Sequence, residues 1–206
     1  TPFDHFLDYH RILTRECYKG RLEIEQFVDK VDLALGDSEF NRRELEEVGY
    51  PRTGVQPLLL NFKKFDTPGN KVVKKTFDKD KFTILFVGRV IPNKKFENVI
   101  KTFYFYRKYF NPRSQLILAG DYRGMERYLS ALFQLVDRLA LQDVHFTGHI
   151  DFDELLSCFR SADAYLSLSG HEGFGVPLLE SFYQRIPVIA QAAGADDLVE
   201  HGEEAC

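Results

Sequence analysis

Two glutamates stand eight positions apart in HEGFGVPLLE, the segment from His171 to Glu180. The apolar run AYLSLS precedes this segment and LLESFYQR continues it, so the pattern predicts a strand, a tight turn and a helix. Helical side chains tilt towards the N-terminus of their helix. Glu180 is therefore expected to reach the mouth of the turn, which Glu172 approaches from the loop.

The turn between the glutamates suits a bound anion. Gly173 and Gly175 allow left-handed backbone conformations and the close approach of a ligand to the main chain, and Pro177 is expected at the first helical position. Free amides and a partial positive charge at a helix N-terminus favour phosphate. Two carboxylates repel a diphosphate unless they accept hydrogen bonds from sugar hydroxyls. This predicts a ligand that carries both phosphate and sugar.

A second set of candidate site residues lies in the segment VGRVIPNKK. Gly88 ends a predicted strand, Arg89 follows it, and Lys94 and Lys95 stand where the next helix begins. Arginine offers a planar fork to a phosphate group and lysine offers a compact charge. Ligands of parallel sheets bind at the carboxyl ends of the strands. This position therefore favours an anion site over ordinary solvated surface.

The elements that must hold these residues alternate along residues 81–206. Apolar runs such as FTILFVG, QLILAG, VHFTG and PVIAQ are separated by segments with helical spacing. Such alternation predicts the α/β class, with a Rossmann-like, doubly wound parallel sheet. Residues 63–80 are charged, contain Pro-Gly and lack periodicity, so they are predicted to be an interdomain linker.

Residues 1–62 predict the remnant of a second α/β domain. GRLEIEQFVDKV and EFNRRELEEVG have helical spacing, and DLALGDS and GVQPLLLNF are predicted strands. Ser38 or Asp37 is expected to cap the second helix and Gly49 to end it.

The composition excludes several classes of protein. The chain has 206 residues, is 44% hydrophobic and carries a net charge of −4, which argues against a disordered chain and against a nucleic-acid binder. No signal peptide or membrane span is evident. Cys17, Cys158 and Cys206 have no metal-site spacing and indicate reduced thiols of a cytoplasmic protein. The chain does not begin with methionine, so we expect a fragment of a longer protein.

In this order, VGRVIPNKK, HEGFGVPLLE with its E-x7-E spacing, and PVIAQAAGADDLVEHG resemble the donor-binding domain of family-4 glycosyltransferases, which retain anomeric configuration and have the GT-B fold. The resemblance spans about residues 82–202, and ALGDSEFNRREL resembles the end of the acceptor-side domain. It implies a hexosyltransferase that uses a UDP- or GDP-linked sugar, with a glycan, lipid or other acceptor. It also implies no metal, no further cofactor and a cytoplasmic location, with any peripheral membrane association made through the missing part of the acceptor-side domain. A fragment of this kind is expected to bind donor but to transfer little sugar.

The resemblance also implies roles for individual residues. Arg89 and Lys94 contact the diphosphate, Glu180 holds the ribose hydroxyls, and Glu172 holds a hydroxyl of the transferred sugar. Catalysis is assigned to Glu172, Arg89 and Lys94 through leaving-group stabilisation, without a protein nucleophile. The remaining donor-binding residues are Gly88, Gly173, Phe174, Gly175 and Val176, with Gly120 and residues 148–150 near the nucleobase.

The sequence departs from the family pattern at two places and leaves alternatives open. Lys95 stands where glycine is frequent, and Asp196 and Asp197 follow Gly194 where glutamate is usual. Another GT-B enzyme, such as an epimerase or a phosphorylase, and a non-catalytic nucleotide-binding domain remain alternatives. A dehydrogenase is disfavoured because the first strand lacks a G-x-G-x-x-G turn. The aromatic run FYFYRKYF is predicted to be core plus amphipathic surface, in preference to a base-stacking platform.

Overall fold

The computed structural model describes residues 3–67 and 77–191, which divide into two compact units. The carboxy-terminal unit contains residues 61–67, 77–169 and 176–190. The amino-terminal unit contains residues 3–60 together with Gly170–Gly175 and Gln191. The helix predicted in ADDLVEHG, with Asp196 and Asp197, lies outside the described residues.

The amino-terminal unit is built on one β-α-β repeat. Its elements are α1 (Arg11–Gln26), β1 (Ala34–Gly36), α2 (Glu39–Val48) and β2 (Thr53–Val55), with short 3₁₀ helices at Phe3–Phe6 and Val28–Lys30. β1 and β2 pair in parallel. The Ser38 hydroxyl accepts a hydrogen bond from the Asn41 amide (3.2 Å), and Gly49 ends α2 with φ of +110°, as the sequence predicted. The strand predicted from GVQPLLLNF is confined to β2.

The carboxy-terminal unit contains a five-stranded parallel sheet. Its strands are β3 (Phe82–Val87), β4 (Ser114–Ala119), β5 (Val144–Gly148), β6 (Ala164–Ser167) and β7 (Val188–Ala190). Its helices are α3 (Phe96–Tyr109), α4 (Glu126–Arg138), α5 (Phe152–Ser161) and α6 (Val176–Tyr183). The strand order is β5-β4-β3-β6-β7, so the chain winds outwards in two directions from β3. The switch point lies between β3 and β6, and ligands of such sheets bind at its carboxyl edge.

The core of this unit explains the continuous apolar runs. Every residue of β4 is buried, as are the four central residues of β3. Strands covered on both faces have nearly continuous apolar runs, whereas a half-exposed strand alternates. The largest fully buried side chains include Leu85, Phe86, Phe96, Ile100, Phe103, Leu116, Ile117, Leu118, Phe159 and Tyr165.

The first part of the predicted linker belongs to the carboxy-terminal unit. Phe62–Asp66 form a short 3₁₀ helix, and Phe65 is 2% exposed, with its ring against those of Phe152 and Phe159. Arg160 donates hydrogen bonds to the carbonyl oxygens of Phe65 and Thr67. Because Phe65 holds this segment against the carboxy-terminal unit, the boundary between the units falls at residue 61 and not within the predicted linker. Residues 68–76 lie outside the described part of the chain.

The described thiols are free and one is shielded. Cys17 and Cys158 form no disulfide, and burial, with the nearby Glu154, raises the pKa of the Cys158 thiol to about 12. No helix among the described residues is long and apolar enough to cross a membrane.

Asp143 ties three elements together and is expected to make stability depend on pH. Its Oδ1 accepts a hydrogen bond from Lys81 Nζ (2.7 Å) and its Oδ2 accepts one from Arg107 Nη1 (2.8 Å). Burial opposes the charge, but the two cations outweigh it, so the pKa of Asp143 lies below its usual value. A depressed pKa stabilises the fold above the unfolded-state pKa, and that contribution is lost as pH falls through the folded-state pKa.

Asp143→Asn is therefore expected to lower the free energy of unfolding by about 1–2 kcal/mol at neutral pH. Asparagine tolerates the left-handed backbone at this position, where φ is +61°. Urea unfolding at about pH 7 and about pH 3 checks this, and the difference from wild type should shrink at the lower pH, where the unfolded-state carboxyl is protonated. Asp137→Asn, at an exposed position of α4, should change little; an equal loss there would contradict the assignment.

Candidate functional site

Three glycines meet at the carboxyl edge of the sheet, after β3, β4 and β5. The Gly88 amide donates to the Ala119 carbonyl (2.9 Å), and Gly120 forms a bridge with Gly148. A Cβ on Gly120 would lie 1.9 Å from the carbonyl oxygen of Gly88. The end of β3 thus packs on the end of β4 at a distance that only glycine allows. The structure brings together Gly88, Gly120 and Gly148, which the sequence assigned to the phosphate and nucleobase ends of one ligand.

The two predicted phosphate-binding cations belong to the loop that follows Gly88. Arg89 is exposed, and its Nη2 donates to the carbonyl oxygen of Arg123 (3.3 Å). Lys94 ends the 3₁₀ helix Pro92–Lys94. Its Cδ lies 3.9 Å from the point that a Cβ on Gly88 would occupy. Lys94 therefore runs past the glycine that Arg89 follows, so both cations are placed at one strand end.

Lys95 explains the departure from the family pattern, because its backbone is left-handed, with φ of +50°. This conformation costs a residue with a side chain about 1–2 kcal/mol. Lys95→Gly is expected to raise the free energy of unfolding by about 0.5–1 kcal/mol after the greater flexibility of glycine is subtracted. Urea denaturation measures this. Lys101→Gly, at an exposed position inside α3, should instead lower the free energy of unfolding by about 1 kcal/mol. If both variants are less stable than wild type, the backbone at Lys95 is not strained.

Glu180 is a buried carboxylate on α6, the helix that follows the loop after β6. The residue is 8% exposed, and its Oε1 lies 3.7 Å from Lys64 Nζ. Burial raises the pKa of Glu180, and the Lys64 ammonium opposes the rise. A buried acid with a raised pKa at the ligand-binding edge of such a sheet is a functional-site candidate. Lys64 was not among the residues assigned from the sequence, because it lies in the predicted linker.

The start of α6 differs from the sequence prediction by one residue. The helix begins at Val176, so Pro177 is its second residue and not its first. The consequence is small, because the amides of the first four helical residues have no partner within the helix. Glu180 becomes the fifth residue of α6.

Glu172, Gly173, Phe174 and Gly175 belong to the amino-terminal unit. Gly175 has φ of +74°, a conformation that glycine allows. Gly173 has no positive φ, and a Cβ there would lie 3.2 Å from Asn41 Nδ2, a tight contact with the end of a side chain. His171 lies against Phe40, and its Nε2 is 3.3 Å from Glu44 Oε1. This segment therefore packs on α2.

The predicted site residues thus fall into two sets. The carboxy-terminal unit holds Gly88, Arg89, Lys94, Val176 and Glu180, and the amino-terminal unit holds the other four. Among residues 3–67 and 77–191, no group of three or more His, Cys, Asp or Glu side chains is placed to hold a metal ion.

The fold and this edge define a Rossmann-like domain of the GT-B class. Residues 69–205, more than half of the chain, match the family described as "Glycosyl transferases group 1". The chain belongs to that family.

Individual relatives agree with this assignment. An uncharacterized glycosyltransferase of Methanocaldococcus jannaschii is 29% identical over 147 residues, which are 69% of this chain and 36% of that protein. O-antigen chain mannosyltransferase B of Escherichia coli is 29% identical over 106 residues, which are 51% of this chain and 27% of that protein. The chain therefore spans about a third or less of the length of these curated relatives.

Solved structures share the fold at low sequence identity. HepE of Anabaena, in complex with UDP and glucose, superposes with a TM-score of 0.74 at 23% identity, covering 88% of this chain and 50% of that one. Sucrose-phosphate synthase of Thermosynechococcus elongatus gives a TM-score of 0.71 at 22% identity, covering 85% and 44%.

Proposed function

We propose that the protein is a retaining, family-4 glycosyltransferase that moves a hexose from a nucleotide diphosphate sugar to a glycan or lipid acceptor. The observation that carries the proposal is the buried carboxylate of Glu180, on the helix that follows the switch-point strand β6. Membership of the glycosyl transferase family supports it, as do HepE, solved with UDP-glucose, and the mannosyltransferase relatives.

The carboxy-terminal unit is proposed to bind the nucleotide and its diphosphate. Arg89 and Lys94 flank Gly88 and neutralise the diphosphate, Arg89 through its planar fork and Lys94 through a compact charge. Glu180 accepts hydrogen bonds from the ribose hydroxyls, which replace the water that burial has removed from it. Amides at the start of α6, from Val176 onwards, face the phosphates.

The loop before α6 is proposed to hold the transferred sugar. Glu172 accepts a hydrogen bond from a sugar hydroxyl, while Gly173, Phe174 and Gly175 present backbone amides. Glu172 is not a nucleophile in this scheme. The sugar–phosphate bond breaks as Arg89 and Lys94 stabilise charge on the departing diphosphate. The acceptor oxygen bonds to the anomeric carbon on the same face, and its proton passes to the departing phosphate oxygen. Stabilisation of developing charge by fixed cations is the main source of rate.

Calorimetric titration of UDP-glucose and GDP-mannose into the chain tests the donor site. Arg89→Ala and Lys94→Ala are each expected to weaken binding by about tenfold or more, since each removes a charge-assisted contact. Arg138→Ala, at an exposed position of α4, is the matched control and should bind as wild type does. No binding by wild type, or equal affinity in Arg89→Ala, would refute the site. Incubating donor without acceptor and analysing the sugar by NMR distinguishes an epimerase, which changes the sugar by itself.

A further inference from the structure

The solvent face of α3 is aromatic where a helix packed on a sheet normally carries polar side chains. Lys101, Tyr104, Phe105, Lys108 and Tyr109 follow the spacing of one helical face. The opposite face packs into the core through Val99, Ile100 and Phe103. The sequence predicted core plus amphipathic surface for this run, and the outward face combines aromatic rings with the exposed Lys101 and Lys108.

These rings are largely exposed and form two stacked pairs. Phe105 is 56% exposed, Tyr109 63% and Phe110 79%. Phe105 stacks on Tyr109, with ring centroids 6.1 Å apart and planes 14° apart, and Tyr106 stacks on Phe110 at 6.3 Å and 15°. Single exposed apolar residues are ordinary, whereas a contiguous cluster marks an interaction surface.

The charges beside the rings are basic, and the acid of α3, Glu97, lies in its first turn. From Asn98 to Arg113 the sequence has four basic residues and no acidic one, in a chain with 31 acidic and 27 basic residues. Arg107 turns inwards to Asp143, while Lys101, Lys108 and Arg113 are exposed.

The neighbouring segment does not cancel this charge. Phe82 contacts Tyr106, and the residues before Phe82 are Asp78, Lys79, Asp80 and Lys81, which balance one another. Asp143 is paired with Lys81 and Arg107, and Glu97 in the first turn of α3 accepts a hydrogen bond from Tyr128. The exposed Lys101, Lys108 and Arg113 therefore leave a net positive charge on this face of an acidic protein.

We propose that this aromatic–basic face (Lys101, Tyr104, Phe105, Lys108, Tyr109, Phe110 and Arg113) docks on the surface of a lipid bilayer that contains anionic headgroups. Phenylalanine and tyrosine rings are stable at headgroup depth, and lysine and arginine bind the anionic headgroups there. Lys108 Nζ lies 5.2 Å from the ring centre of Tyr104 and 5.3 Å from that of Tyr109. Cation and rings therefore form one layer.

A bilayer fits this face better than a glycan does. A glycan platform needs carboxylate or amide groups beside its rings, and the helical part of this face offers hydroxyl and ammonium groups only. The face lies at the end of α3 that leads into the start of β4, whereas the candidate donor site lies where the strands end. Docking by this end leaves the carboxyl edge of the sheet open. The inference does not depend on the proposed function.

Flotation of the 206-residue chain with vesicles tests the inference. The chain should float with vesicles of equal parts phosphatidylcholine and phosphatidylglycerol and stay behind with pure phosphatidylcholine, and high salt should weaken the binding. Tyr109→Ser with Phe110→Ser should lower the partition coefficient by about tenfold or more, because two rings no longer leave water. Lys108→Glu with Arg113→Glu should lower the partition coefficient by at least about twentyfold, because each positive charge that is removed is expected to weaken binding about fivefold.

Matched variants separate this face from other exposed positions. Leu59→Ala removes a 97% exposed apolar side chain of the amino-terminal unit, and Arg127→Glu reverses an exposed charge on α4; both should float as wild type does. Circular dichroism and thermal unfolding confirm that each variant is folded. Absence of wild-type flotation, or unchanged flotation of both double variants, overturns the proposal. A chain that does not bind vesicles but self-associates also overturns the proposal. If Tyr109→Ser with Phe110→Ser abolishes that self-association, the face binds a second copy of the chain.

Discussion

Gly120→Ala is expected to reduce donor binding by more than about a hundredfold, because the new methyl group displaces the loop that carries Arg89. A Cβ at residue 120 would lie 1.9 Å from the Gly88 carbonyl oxygen and 3.2 Å from the Arg89 amide nitrogen. Both neighbours are backbone atoms, so no side-chain rotation relieves the clash. The loop after β3 must move by more than an ångström, and the hydrogen bond from Gly88 to Ala119 must lengthen or break.

The same substitution should also destabilise the fold, by about 1–3 kcal/mol, as overpacking of a tight backbone contact does. Urea denaturation gives that loss, and calorimetric titration of UDP-glucose at a temperature where the variant is folded gives the binding. Gly20→Ala is the control: a Cβ there meets nothing within 4 Å, and alanine inside a helix should add up to about 1 kcal/mol of stability. Gly120→Ala with wild-type affinity would show that the position of Arg89 is unimportant.

The sequence predicted the sheet well because its signals are local. Buried parallel strands are nearly all apolar, so most of β3 and β4 is visible as apolar runs. Glycine at the end of such a run and helical spacing after it then predict which residues stand at the carboxyl edge. Gly88, Arg89 and Lys94 could therefore be assigned to one strand end without coordinates.

The sequence could not reveal contacts made between distant segments. Lys64 reaches Glu180 from more than a hundred residues away, and Phe65 anchors the same segment in an aromatic cluster. Neither leaves a periodic pattern. The two glycines before α6 show a related limit: Gly175 has a positive φ, whereas Gly173 packs closely against Asn41, and a sequence does not distinguish these two uses of glycine.

Glu180→Gln is expected to change stability and donor binding in opposite directions. Burial raises the pKa of Glu180 despite Lys64, so the fold disfavours the ionised carboxylate. A raised pKa contributes stability below the unfolded-state pKa, and this contribution is lost as pH rises through the folded-state pKa. At neutral pH the neutral amide should therefore unfold with a higher free energy than wild type, and the difference should vanish below about pH 4.

Binding of UDP-glucose by Glu180→Gln should fall by about ten- to a hundredfold, because the amide replaces a charged acceptor for the ribose hydroxyls. Lys64→Met isolates the electrostatic part. In the wild-type background, Lys64→Met leaves Glu180, which is only 8% exposed, without its ion-pair partner, so the free energy of unfolding should fall at neutral pH. In the Glu180→Gln background, Lys64→Met should change the free energy of unfolding little. If Glu180→Gln loses stability at neutral pH, the burial argument fails. If it gains stability and binds donor as wild type does, Glu180 is a buried acid with no part in holding ribose.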